Sequence, residues 1–283
     1  MNPQAVFHYR IDGRAAGRRP GAHAGRAAGA GHDFLAHARL FDHPDPRRLD
    51  LRASLRSGGT DWLVRTHRQR SAITLQAVVD VSASMACGAP RKLDIAASLV
   101  ESMGSSAFKT GDAAGLTAFD RTVRHDLCRP AQHSRAIGAS MASLLRAAQP
   151  GSGAGCGVLD ALQPLAGRQA MVFLVSDFHW PPEILSAALA LLAHAWVVPV
   201  VIWDTAETTP PGAASFVRLR DAETGQRRSL WLTPRLRDQW IERVAARRRE
   251  LDALFAARQL RALYVSGHFD AAQVSAYFLD CAQ

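Results

Sequence analysis

Asp80, Ser82 and Ser84 stand in the pattern D-x-S-x-S, directly after the apolar run Leu75, Ala77, Val78 and Val79. One carboxylate and two hydroxyls at alternate positions make a compact set of hard oxygen donors, which suits a divalent cation such as Mg²⁺. Asp and Ser are also ordinary helix caps, since their side-chain oxygens accept from unpaired N–H groups at a helix start. On these residues alone the two readings stand level. A second acid, Asp177, closes the run Met171-Val172-Phe173-Leu174-Val175-Ser176.

Both runs are short, apolar and β-branched, and each is bounded by polar residues. Such runs read as central strands of a parallel sheet, buried on both faces. Open α/β sheets place their ligand sites outside the carboxyl ends of the strands. The spacing therefore puts Asp80, Ser82 and Ser84 on one turn at that edge, and Asp177 joins them if its strand is a neighbour.

The sequence DVSAS followed by Met85 resembles the metal-ion-dependent adhesion site of von Willebrand factor type A domains. The ending Ser176-Asp177-Phe178 resembles one bacterial family in particular, the domain-of-unknown-function family fifty-eight that accompanies MoxR-type AAA+ ATPases. The likeness runs from about Gly31 to the C-terminus. It implies a non-enzymatic, protein-binding module in which Asp80, Ser82, Ser84 and Asp177 hold Mg²⁺ or another divalent cation. It also implies a protein partner, a MoxR-type ATPase and its client, in assembly or maturation of a complex. The fold implied is α/β, a doubly wound, mostly parallel sheet of von Willebrand factor A-like, Rossmann-like topology.

The chain departs from this pattern in two places. Type A domains supply a threonine oxygen from a later loop; here that loop is Pro150 to Gly157, and Cys156 takes the position. A thiol is a poor ligand for a hard cation, and Ser152 substitutes only if the glycines let the loop fold inward. The family's pre-domain carries an arginine, an acidic turn and an R-x-I-D-W element, which Arg39, Asp45 and Asp50 match in part, but the tryptophan position holds Leu51. Salt bridges that pack an N-terminal arm on the core account for Arg39, Asp45, Asp50 and Arg52 without any binding role.

Composition sets wider bounds. The chain has 283 residues, 48% hydrophobic and 21% charged, enough for one large domain and an appendage. Its net charge is +9, and arginine supplies almost all of it, Lys92 and Lys109 being the only lysines. That charge suits an acidic protein partner as well as nucleic acid, and no nucleic-acid recognition motif accompanies it. Cys87, Cys128, Cys156 and Cys281 lack zinc spacing and read as reduced thiols of a cytoplasmic protein. No signal peptide is visible in Met1 to Gly31. Both phosphate-loop patterns are absent, which excludes nucleotide binding by those devices. A hydrolase or phosphotransferase using Asp80 is the enzymatic alternative, but DVSAS lacks the second Asp of a D-x-D phosphatase and no base accompanies it.

Pattern also predicts the organisation: an N-terminal arm and pre-domain over 1–70, then the main domain over 71–283. Within the arm we expect a short strand at Ala5 to Tyr9, a helix over Asp33 to Leu40, and a strand at Trp62 to Thr66. Further on, Lys92 to Lys109 has helical spacing, and Ala114–Phe119 with Thr122–Leu127 reads as two strands joined by Asp120-Arg121. Helices are expected over Ser134–Ala148 and Val158–Leu165. Ile184 to Trp203 carries no formal charge, yet its change from Ala/Leu-rich to Val/Ile-rich, with Pro199 inside, predicts a buried helix and then a strand rather than a membrane span. Phe216–Leu219 and Ser229–Leu232 suggest an inserted β-hairpin. A long helix over Pro234–Arg258, a strand over Leu260–Val265 and a closing helix over Ala271–Cys281 complete the chain. Phe178 and Trp180 either form an exposed contact patch or close the core, and Arg247-Arg248-Arg249 reads as a solvated face.

Overall fold

The computed structural model describes residues 6–11, 13–15, 19–29, 33–58, 61–149, 151, 156–212, 215–220 and 226–280. Ser152 and Cys281 lie outside the described residues. The chain divides into two compact units, Ile11–Ile73 on the one hand and Met1–Arg10 with Thr74–Gln283 on the other. Residues 6–10 thus group with the larger unit, whereas the sequence reading put them in an arm over 1–70.

The smaller unit contains β1 (Pro20–Gly29), β2 (Asp33–Arg39), α1 (Leu51–Arg56) and β3 (Leu63–Ser71). Its sheet has the order β1-β3-β2, antiparallel throughout. The helix expected over Asp33 to Leu40 is a strand instead: Ala38 pairs with Val64 and Arg39 with Leu63. A ladder to β3 here overrides the helical preference of Leu35, Ala36 and Ala38, as tertiary pairing commonly does. Asp50 caps α1 by accepting from the Ala53 N–H, and its carboxylate also takes Arg65 Nε at 2.7 Å. Arg39 pairs with Asp61 and Arg48 with Asp45, so these charges are matched inside the unit.

The larger unit runs β4 (Thr74–Asp80), α2 (Lys92–Thr110), β5 (Ala113–Phe119), β6 (Arg129–Gln132), α3 (Ile137–Ala147), α4 (Val158–Leu162), β7 (Met171–Ser176), α5 (Pro182–Leu191) and β8 (Trp196–Ile202). It continues with α6 (Thr205–Thr208), β9 (Ser215–Arg220), β10 (Arg227–Leu232), α7 (Pro234–Ala256), β11 (Leu263–Val265) and α8 (Ala271–Asp280). The six-stranded sheet has the order β11-β8-β7-β4-β5-β6, parallel except for the β5–β6 edge pair. Counted in chain order within the sheet, this is the doubly wound order 3-2-1-4-5-6 with its third strand reversed. Every residue of β7 is buried, as the unbroken apolar run requires of a strand covered on both faces. The expected inserted hairpin is β9–β10.

Some local expectations give way to tertiary structure. Residues 6–10 carry no strand, although Phe7 is buried. Phe119 and Val123 form an isolated bridge, but the strand beside β5 begins only at Arg129. Helices α2 and α3 approach so closely that a Cβ on Gly104 would lie 2.4 Å from Gly138 Cα. Ile184 to Trp203 divides into the end of α5 and then β8, and no helix among the described residues is long and apolar enough to cross a membrane.

Candidate functional site

Four neighbouring parallel strands each deliver an aspartate at or just past the carboxyl end: Asp80 on β4, Asp120 after β5, Asp177 after β7 and Asp204 after β8. The order of the sheet reverses between β4 and β7, because helices leave these strands towards opposite faces. A crevice opens at such a switch point, and Asp80 and Asp177 lie on its two sides. Sequence alone identified the first and third of these acids and placed Asp120 in a hairpin turn.

The four expected residues come together. Asp80 Oδ1 accepts from the Ser82 N–H at 2.9 Å, and the Ser82 hydroxyl also bonds to this carboxylate. Ser82 Oγ lies 3.3 Å from Ser84 Oγ, and the Ser84 hydroxyl bonds to Asp177. Asp80 Oδ2 accepts from Ser176 Oγ at 2.8 Å and from Trp180 Nε1 at 3.1 Å. Both acids are only 1% exposed.

A residue that sequence reasoning passed over completes the cluster. Lys92, in the first turn of α2, is 1% exposed, and its Nζ donates to Asp177 Oδ2 at 2.9 Å. The same ammonium lies 2.7 Å from Oε1 of Glu207 on α6. A signal for it was present: in a chain that uses arginine almost everywhere, one of two lysines stands twelve residues past Asp80. Asp120 has its own cation, Arg124 at 3.1 Å, while Asp204 Oδ2 accepts from the Ala89 N–H at 3.2 Å.

These partners divide the two central acids electrostatically. Burial pushes the Asp80 carboxyl up to about 6, and the neighbouring Asp177 charge adds to the rise. Burial acts on Asp177 in the same direction, but Lys92, His179 and the Ser84 hydrogen bond together outweigh it and hold the Asp177 carboxyl below the usual range. The Lys92 ammonium is correspondingly raised, because Asp177 and Glu207 outweigh its own burial. A carboxyl with a folded-state value of about 6 against an ordinary 3.8 binds its proton more tightly folded than unfolded. Its contribution to stability is therefore full at low pH and is lost as pH rises through about 6. Asp80→Asn removes this dependence, so the stability of wild type relative to the variant should fall from pH 4 to pH 7, by on the order of 3 kcal/mol. Denaturant midpoints of both proteins across that range check it.

The loop after β7 closes the core. Phe178 and Trp180 are buried, not exposed, with ring centroids 5.0 Å apart. Arg247, expected on a solvated face, donates from Nη2 to the carbonyls of Phe178 and Trp180 at 2.6 and 2.7 Å. Arg248 lies over the Tyr264 ring, and Arg249 pairs with Glu242. The accessible rim is formed by Cys87 to Pro90, Cys156 and His179.

A hard divalent cation fits this donor set poorly. All four oxygens of Asp80 and Asp177 already accept from protein N–H or O–H groups, one of them an ammonium. Among the described residues no three His, Cys, Asp or Glu side chains are grouped to hold a metal. Cys156 is exposed in the turn before α4.

The sequence profile described as "Protein of unknown function DUF58" matches residues 39–250. An uncharacterized protein of Mycobacterium tuberculosis is 27% identical over 236 residues, covering 82% of this chain and 73% of the relative. An uncharacterized protein in the moxR 3′ region of Paracoccus denitrificans is 35% identical over 89 residues, 31% of this chain and 81% of that one. Among solved structures, the conserved hypothetical protein BatB of Bacteroides thetaiotaomicron has a TM-score of 0.40 at 16% identity, covering 75% of this chain and 99% of its own. A von Willebrand factor type A protein from Catenulispora acidiphila has a TM-score of 0.35 at 14% identity, covering 76% and 43% respectively.

Proposed function

The chain belongs to the DUF58 family, and from that premise we propose that it is a non-enzymatic protein-binding module that partners a MoxR-type AAA+ ATPase in assembling or maturing a client complex. The observation that carries the non-enzymatic reading is the state of the strand-end acids. A nucleophile or general base must reach its substrate with a free lone pair. Asp80 and Asp177 are sealed from solvent, and their oxygens are committed to protein donors. What the carboxyl edge does offer is an exposed rim of Cys87 to Pro90 and His179 around a rigid, hydrogen-bonded floor. A small, preorganised surface of that kind suits recognition of another protein. The choice of ATPase rests on the relative from the moxR 3′ region.

The test is direct. The purified chain should co-elute in gel filtration with a MoxR-type ATPase from its own host. Charges placed on the rim, Cys87→Glu together with His179→Glu, should weaken that complex by at least about tenfold, since like charge or desolvated charge at an interface costs several kcal/mol. Both side chains are exposed, but His179 stacks on Trp203 and faces Asp177, so a urea midpoint close to that of wild type is the control that the double variant keeps the fold. Failure of the wild-type chain to bind any such ATPase, with or without nucleotide, sinks the reading.

A further inference from the structure

We infer that the Lys92 ammonium is the built-in cation of the strand-end site, standing where a divalent ion would otherwise be required, so that the site works without metal. This deepens the binding reading above by making recognition at that rim independent of divalent cations.

Three observations carry it. The first is placement: Nζ lies between Asp177 Oδ2 at 2.9 Å and Glu207 Oε1 at 2.7 Å, with Ser84 bonded to the same Asp177 carboxylate. The ammonium therefore takes the Asp177 side of the oxygen cluster, where a cation drawing on that carboxylate would lie. The second is its position on the helix. Lys92 is the first residue of α2, where the positive end of the helix dipole disfavours a cation and an acid would be the ordinary choice. A lysine buried there is held by the acids around it, not by any local preference.

The third observation is the choice of side chain. Arginine supplies almost all the positive charge of this chain. Its guanidinium is planar and needs a fork of acceptors, whereas an ammonium is a compact point charge with three donors. Only the compact group fits a small oxygen cluster as a metal ion would. Like charges a few ångströms apart repel strongly even at an effective dielectric near 20, so a divalent ion and the ammonium exclude each other.

The experiment uses the full chain without its partner, so its outcome is independent of whether an ATPase binds. Mn²⁺ and Mg²⁺ are titrated calorimetrically into wild type, Lys92→Ser, and Lys92→Ser with Asp177→Asn. Wild type should take up neither ion in a saturable way, and its Tm should be the same in EDTA and in MgCl2. Lys92→Ser frees an oxygen-lined space and should bind one Mn²⁺ at least about tenfold more tightly than wild type. Adding Asp177→Asn should abolish that gain. Saturable binding of one ion by wild type overturns the inference, and so does a folded Lys92→Ser that gains no affinity. If Lys92→Ser does not fold, wild type decides: a Tm that moves with Mg²⁺ overturns the inference, and one that does not supports it.

Discussion

Replacing Lys92 by methionine should lower the free energy of unfolding by about 3–5 kcal/mol, the cost of breaking a buried ion pair from one side. Methionine keeps the length and volume of the stem, so the loss reports the charge and not a cavity. The side chains of Lys92 and Asp177 are 1% and 2% exposed, and neither can turn to water when the other is removed. Glu207 is 38% exposed and can reorient, so the stranded charge is that of Asp177. Two further outcomes separate this from a packing effect. Adding Asp177→Asn should recover part of the loss, because it removes the uncompensated charge. The deficit should also shrink on acidification: in wild type the Asp177 carboxyl is held below its usual range, and without Lys92 only His179 and the Ser84 hydrogen bond oppose its burial, so it takes up a proton more readily as pH falls. Denaturant unfolding of the three proteins at neutral and acidic pH measures all of this. A Lys92→Met protein as stable as wild type would mean that the pair contributes nothing.

Phe7→Ala should cost about 3–5 kcal/mol, the range for deleting a buried aromatic ring. Phe7 precedes every strand and helix among the described residues, in a segment where sequence suggested at most a short strand. It nevertheless sits in the core of the larger unit, with its ring 5.9 Å from Phe173 and 6.4 Å from Phe278. Its backbone N–H donates to Ser106 Oγ at 3.0 Å on α2. The segment thus closes the side of the sheet where α8 packs. Phe41 supplies the control: it is 95% exposed, and Phe41→Ala should change stability by less than about 0.5 kcal/mol. Equal midpoints for Phe7→Ala and wild type in urea would remove Phe7 from the core.

The acids at Asp80 and Asp177 were legible because the feature that locates them is local. A short, β-branched apolar run ending in a carboxylate reads as a buried strand with its charge at the edge, and α/β sheets of this kind put that edge where helices begin. The helix of α2, the division of Ile184 to Trp203 into helix and strand, and the β9–β10 hairpin were legible for the same reason, since each has its own periodicity. The strand at Asp33 to Arg39 was not, because Leu35, Ala36 and Ala38 favour a helix and only the ladder to β3 decides otherwise.

By itself the sequence determined the doubly wound sheet, its two central acids and their serines, because burial of continuous strands is written into consecutive residues. Only the tertiary structure decided what those acids are bonded to. Lys92, Trp180, Ser176 and Glu207 reach the cluster from separate elements, and nothing in a linear pattern says that a lysine on α2 will meet an aspartate after β7. The same holds for Arg247, whose run of charges looks solvated until α7 is laid against the loop at Phe178. Hydrophobic periodicity fixes which face of an element is buried; the electrostatic partners depend on where neighbouring elements end, and that is set by packing.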